Sequence, residues 1–158
     1  MREILFRGQT RKLGEKVKMQ TGEKLPGKWV YGGIFQGTGC YSVMYGCPDA
    51  NDITGATLKK YTVYTDTVGQ FTGLTDKNGV QMWEGDIIKG LFYHERPALS
   101  VVKFKDGAFG LEWNRSGAKT FNAFTSMCNV EYEVIGNIHD NPELLKGGAE
   151  SGSKENVR

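Results

Sequence analysis

Cysteine and proline are scarce, with three and four copies respectively in 158 residues. Three thiols cannot staple a chain of this length, and a disulfide scaffold is excluded. Cys40 and Cys47 are separated by six intervening residues and Cys128 is remote, whereas structural zinc wants four ligands paired at short spacing. Neither His94 nor His139 has a ligand-spaced Cys or His beside it. No metal is therefore expected, and the thiols read as reduced. Long apolar runs are also missing. Nothing approaches the 18 residues of a membrane-spanning helix, so no membrane association is expected. Residues 1–8 carry Arg2, Glu3 and Arg7 with no apolar stretch of a secretory signal, which points to a cytoplasmic protein. Catalytic motifs are absent in turn. Residues 32–39 (GGIFQGTG) lack the G-x-G-x-x-G order, no Lys-Ser/Thr follows as in a phosphate loop, and there is no G-x-S-x-G elbow. No cofactor and no catalytic residue is assigned.

Glycine and aromatic rings are abundant instead. Glycine accounts for 22 residues, among eight Phe, seven Tyr and three Trp. It costs entropy inside helices and strands, so it gathers where the chain turns. Many turns between aromatic and β-branched runs predict a mainly β protein, a small barrel or sandwich with long loops. Residues 4–6, 28–35, 41–45, 60–65, 68–71, 86–93, 100–105, 108–113 and 130–138 read as strands, with Gly32-Gly33 and Gly90 as bends or bulges. Asn78-Gly79 predicts a type I′ turn with positive φ at both positions, and Asp106-Gly107 predicts a second hairpin. Residues 120–128 are consistent with a short helical or 3₁₀ segment. Asn141-Pro142-Glu143 opens one short C-terminal helical turn, with Asn141 as an N-cap acceptor. The tail 147–158 is Gly-, Ser- and charge-rich and is expected to be disordered.

The net charge of +2 conceals an uneven distribution. Residues 1–28 hold eight basic side chains against three acids, a net of +5, which leaves −3 for the remainder. A basic arm of this kind docks on phosphates by releasing counterions, or it forms a solvated loop that guards a sheet edge. Candidate binding residues on this reading are Arg7, Arg11, Lys12, Lys16, Lys18, Trp29 and Trp83. Basic and aromatic neighbours (Lys28-Trp29, Lys60-Tyr61, Lys103-Phe104-Lys105) suggest rings paired with phosphate contacts. Because adjacent strand residues face opposite ways, the simpler expectation puts Trp29, Tyr61 and Phe104 inside and the lysines in water. Glu84 and Asp86 flank Gly85 and read as turn-formers before they read as a carboxylate pair. His139-Asp140 reads as an exposed step after the last strand.

Five blocks taken together resemble a known family. They are residues 1–8 (MREILFRG), 28–32 (KWVYG), 68–79 (VGQFTGLTDKNG), 84–89 (EGDIIK) and 134–145 (VIGNIHDNPELL). In this order they are similar to the YopX-like phage and prophage proteins. The resemblance implies one domain over residues 1–146, an SH3-like β-barrel or roll, and a phage or prophage origin, with the cytoplasm being that of a bacterial host. It implies no activity. Gly69, Gly73, Gly79 and Gly85 within these blocks are expected to relieve backbone strain. Two features depart from the family: Trp83 before the Glu-Gly-Asp turn, and residues 11–28, which form a basic loop or hairpin insertion. The expected function is a non-enzymatic binding or assembly module whose partner is itself or another phage or host protein. The alternative is nucleic-acid binding through residues 1–28, and an enzyme using His139 or Glu84/Asp86 stands third.

Overall fold

Short runs of alternating apolar and polar residues, cut by glycine-containing turns, pair most readily with their sequence neighbours, and the strand pairs are antiparallel. The structure, a computed structural model, describes residues 4–10, 27–35, 41–46, 59–91, 97–115, 118–124 and 132–146. In chain order the strands are β1 (Phe6–Gln9), β2 (Trp29–Phe35), β3 (Tyr41–Gly46), β4 (Lys59–Tyr64), β5 (Gly69–Thr75), β6 (Gln81–Trp83), β7 (Asp86–Leu91), β8 (Pro97–Lys105), β9 (Ala108–Arg115), β10 (Ala118–Ala123) and β11 (Glu133–Asn137). One 3₁₀ turn, Thr65–Thr67, follows β4, and another, Pro142–Leu145, follows β11. The chain is thus mainly β, as its composition predicts, and the short C-terminal helical turn is present. Two compact units divide it, Met1–Gly73 and Leu74–Arg158.

In the N-terminal unit the sheet order is β4-β3-β2-β1-β5. Phe6 faces Gly32, Gly8 faces Val30, and Ile34 pairs through Met44 with Tyr61. Because side chains alternate along each strand, this register puts Phe6, Val30, Ile34, Tyr61 and Val63 on one face. Those residues, with Val68, form the unit's core, where Val63 is fully buried. Thr67 fastens β1 from the side: its Oγ1 accepts the Gln9 N–H at 2.9 Å and its hydroxyl donates to the Tyr64 carbonyl at 2.8 Å.

In the C-terminal unit the order is β10-β9-β8-β7-β11. Ile88 lies opposite Ser100, and Val102 lies opposite Leu111, so these four share a face. Met82, Ile88, Val102 and Leu111 are all fully buried, with Trp113, Phe124, Tyr132 and Val134 packed against them. Each such side chain contributes about 1.5–3 kcal/mol on burial. Among the described residues neither sheet closes into a barrel.

Several local expectations need correction. Asp106 and Gly107, with φ of 52° and 81° and Lys105 paired to Ala108, carry the two positive φ values of a type I′ turn. At Asn78-Gly79 only Gly79 is left-handed, with φ of 79°. The Gly79 N–H donates to the Asp76 carbonyl at 3.0 Å and the Asp76 N–H donates to the Val80 carbonyl at 2.8 Å. That is a type I turn closed by a glycine bulge. The Asp76 carboxylate holds the Asn78 and Val80 N–H groups and so selects this turn. Gly90 pairs with Ala98 in unbroken register; the irregularity falls instead in β11, between Val134 and Gly136. Gly69 sits in β5 opposite Arg7 and is not left-handed, whereas Gly73, Gly79 and Gly85 are. Residues 120–123 are strand, because they pair with β9 from Trp113 to Gly110. Asn141 makes no side-chain cap; its Oδ1 accepts the Asn137 N–H at 3.4 Å. Phe104 is 52% exposed. It shares the core face with Val102, but lies two residue pairs nearer the hairpin tip, beyond the packed centre.

Candidate binding surfaces

The face of the N-terminal sheet opposite its core carries the residues with the clearest binding chemistry. Arg7 lies opposite Tyr31 and Gln9 opposite Trp29, so Arg7 and Trp29 are diagonal neighbours on one face. The Arg7 guanidinium sits 4.8 Å from the Trp29 ring centroid and is 7% exposed as a residue. A cation over an indole face contributes about 0.5–2 kcal/mol, and here it also fixes the ring's plane. Two of the sequence-derived candidates are thereby brought together. Farther along β2 the same face presents Tyr31 and Phe35, 51% and 68% exposed, with Gly33 between them. The register carries this face across β3 to Lys60, which is exposed. Sequence reasoning missed Tyr31 and Phe35. Their signal was present in the alternation of WVYGGIF, which puts Val30 and Ile34 on one side and the three rings on the other.

The remaining candidates are scattered. Trp83 is 4% exposed and its backbone N–H donates to the Asp86 Oδ2 at 2.7 Å. Asp86 is itself buried, and Gly85 between them has φ of 86°, the glycine position of a type II turn. The Gly85 N–H donates to the Val102 carbonyl and its own carbonyl accepts the Ile138 N–H, both at 2.9 Å. Asp86 thus acts as a turn-former. His139 and Asp140 both donate backbone N–H groups to the Asn137 Oδ1 at 2.9 Å, and the Asn137 amide donates to the Asp140 Oδ2 at 2.8 Å. This network is a local turn. Arg11, Lys12, Lys16, Lys18, His94 and the three cysteines lie outside the described residues.

A buried carboxylate in the C-terminal unit was not anticipated. Asp76 accepts the N–H groups of Asn78 at 2.8 Å, Val80 at 2.9 Å and Val134 at 3.0 Å. Burial pushes its pKa up, but the bonds from Val134, Val80 and Asn78 outweigh this and hold it below the usual 3.8. Next to it the Lys77 Nζ meets the Glu133 Oε2 at 2.9 Å, and that hydrogen bond and charge lower the Glu133 pKa. Burial raises the Tyr132 pKa, and the Tyr132 carbonyl accepts the Lys77 N–H at 3.0 Å. An ionised carboxylate saturated by backbone donors has no proton to give, so this cluster is a clamp between the turn and β11. Among the described residues no three His, Cys, Asp or Glu side chains gather as metal ligands, and no helix is long and apolar enough to cross a membrane.

Comparison with known proteins shows where this fold belongs. The family model described as YopX protein matches residues 29–146, from β2 to the C-terminal turn, and leaves residues 1–8 outside the matched span. The SPbeta prophage-derived uncharacterized protein YopX of Bacillus subtilis (strain 168) is 33% identical over 106 residues, 58% of this chain and 75% of that one. The crystal structure of protein EF1440 from Enterococcus faecalis aligns at 30% identity with a TM-score of 0.37, over 66% of this chain and 74% of that one. With the matched span taking in ten of the eleven described strands, the chain belongs to the YopX family.

Proposed function

We propose that the protein is a non-enzymatic prophage module that binds other chains and assembles with itself through its C-terminal unit. The observation that carries this reading is Phe104, an apolar ring 52% exposed at the tip of the β8–β9 hairpin. It stacks edge-to-face on Phe109 with ring centroids 4.9 Å apart, so the tip offers a ring pair already ordered before any partner arrives. β10, the outer strand of the same sheet among the described residues, offers an edge for strand addition. The prophage origin rests on the curated relative's own description. An SH3-like roll belongs to the same reading. It is supported by the isolated bridge between Thr10 and Val63, which brings β4 back toward the end of β1.

Sedimentation velocity across the micromolar range tests the assembly. The wild type is expected to show a concentration-dependent oligomer, and Phe104→Ser to stay monomeric with its melting temperature retained. A wild type that is strictly monomeric throughout would sink the proposal.

A further inference from the structure

The outward face of the N-terminal sheet carries a row of aromatic residues on one strand with cations on the strands beside it. Along β2 it runs Trp29, Tyr31, Gly33, Phe35, with alternate residues about 6.6 Å apart. Tyr31 and Phe35 therefore stand about 13 Å from each other. Between them Gly33 is exposed, and a Cβ placed there would meet no heavy atom of the described residues within 4 Å. Gly33 thus leaves a gap in the row between the two exposed rings. Arg7 borders the row on β1, and Lys60 borders it on β4, two strands or about 10 Å from β2. Charge is one-sided: among the described residues of this unit Arg7, Lys28, Lys59 and Lys60 stand against Asp66 alone.

We propose that this face binds single-stranded nucleic acid, with bases stacking on Tyr31 and Phe35 astride the gap at Gly33 and Lys60 meeting the backbone. Each part of the surface suits that ligand. Bases have π faces that stack on aromatic side chains without regard to sequence, and the phosphates follow a positive groove. Arg7 is a positioning residue, since its guanidinium is stacked on Trp29 and steadies the head of the row while adding positive potential. A duplex keeps its bases stacked on each other and cannot offer them to Tyr31 and Phe35. A neutral ligand such as a sugar would use the rings and ignore the lysine.

Fluorescence anisotropy on the full chain tests this, with labelled oligothymidylate and oligouridylate of about a dozen nucleotides and a duplex of equal length. Both single strands are expected to bind at low salt, and the duplex at least about ten-fold more weakly. Comparing DNA with RNA separates two forms of one partner, because only RNA offers a 2′-hydroxyl. Tyr31→Ala and Phe35→Ala should each weaken binding about ten-fold. Gly33→Val is the sharper variant. Its side chain enters open space on a strand that favours β-branched residues, so the melting temperature holds while the slot fills and binding falls about ten-fold. Lys60→Gln should reduce the slope of log affinity against log salt by about 0.7, one phosphate contact on a single strand. The proposal is overturned if neither single strand binds, if the duplex binds as tightly, or if affinity is indifferent to Gly33→Val and to both ring variants. It is equally overturned if the ring variants change sedimentation and leave anisotropy untouched, since a second copy would then be the occupant.

Discussion

Asp76 ties together stretches of chain 58 residues apart with one carboxylate, whose oxygens take two N–H groups from its own turn and one from Val134. Its pKa is lower folded than unfolded, so the ionised form stabilises the fold. That contribution is fully present above the unfolded value of about 3.9 and disappears as pH falls through the lower folded value. Denaturant titrations from pH 7 downward should therefore show stability dropping in the acid limb for the wild type. Asp76→Asn should cost about 1–3 kcal/mol at neutral pH, because its NH₂ cannot accept the third N–H. Its acid limb should be correspondingly flatter; a variant that keeps the full wild-type drop below pH 4 would remove Asp76 as the cause. The neighbouring Lys77–Glu133 pair is 41% and 38% exposed in its side chains, so solvent screens it and it adds little to the clamp. In the sequence, Asp76 shows as the first residue of a turn. Its bond to Val134 depends on which strand lies beside the hairpin, and no local pattern records that.

Turns show how two similar dipeptides reach different geometries at the level of the element. Asp106-Gly107 takes the type I′ form that its neighbours' twist favours, while Asn78-Gly79 is drawn into a type I turn with a glycine bulge by the Asp76 bonds. Both glycines remain left-handed. Gly79→Val and Gly107→Val should each cost more than about 1 kcal/mol, since a β-branched residue is strained at φ near +80°. Thermal melts of the two variants check this, and an unchanged melting temperature for either would contradict the strain. At Gly110 the restriction is close approach: an added Cβ would overlap the Asn122 carbonyl oxygen and come within 2.7 Å of the Phe121 ring. Strand positions were legible from alternation in most elements, but not at β6, which no expected strand covers, nor at β10, which read as helical or 3₁₀, and β1 begins where the expected first strand ends. The bulge was misplaced at Gly90, whereas the break in register falls in β11 between Val134 and Gly136.

Across the whole molecule each unit carries its own buried centre, Val30 and Val63 in one, and Met82, Ile88, Val102 and Leu111 in the other. Hydrogen exchange followed residue by residue should therefore find two separate groups of slow amides, in β2 and β4 and in β7, β8 and β9. One slow group confined to a single unit would show that the other has no stable core. From sequence alone came the mainly β class, the places where the chain turns, the uneven charge and the lack of a recognisable catalytic motif, because propensity and glycine placement act over a few residues. Only the tertiary structure decided which of two alternating faces is covered. Trp83 is buried, Arg7 lies on Trp29, and Tyr31, Phe35 and Phe104 reach solvent. A period of two divides a strand into two faces, but which face becomes the inside depends on register and neighbours that only long-range pairing supplies.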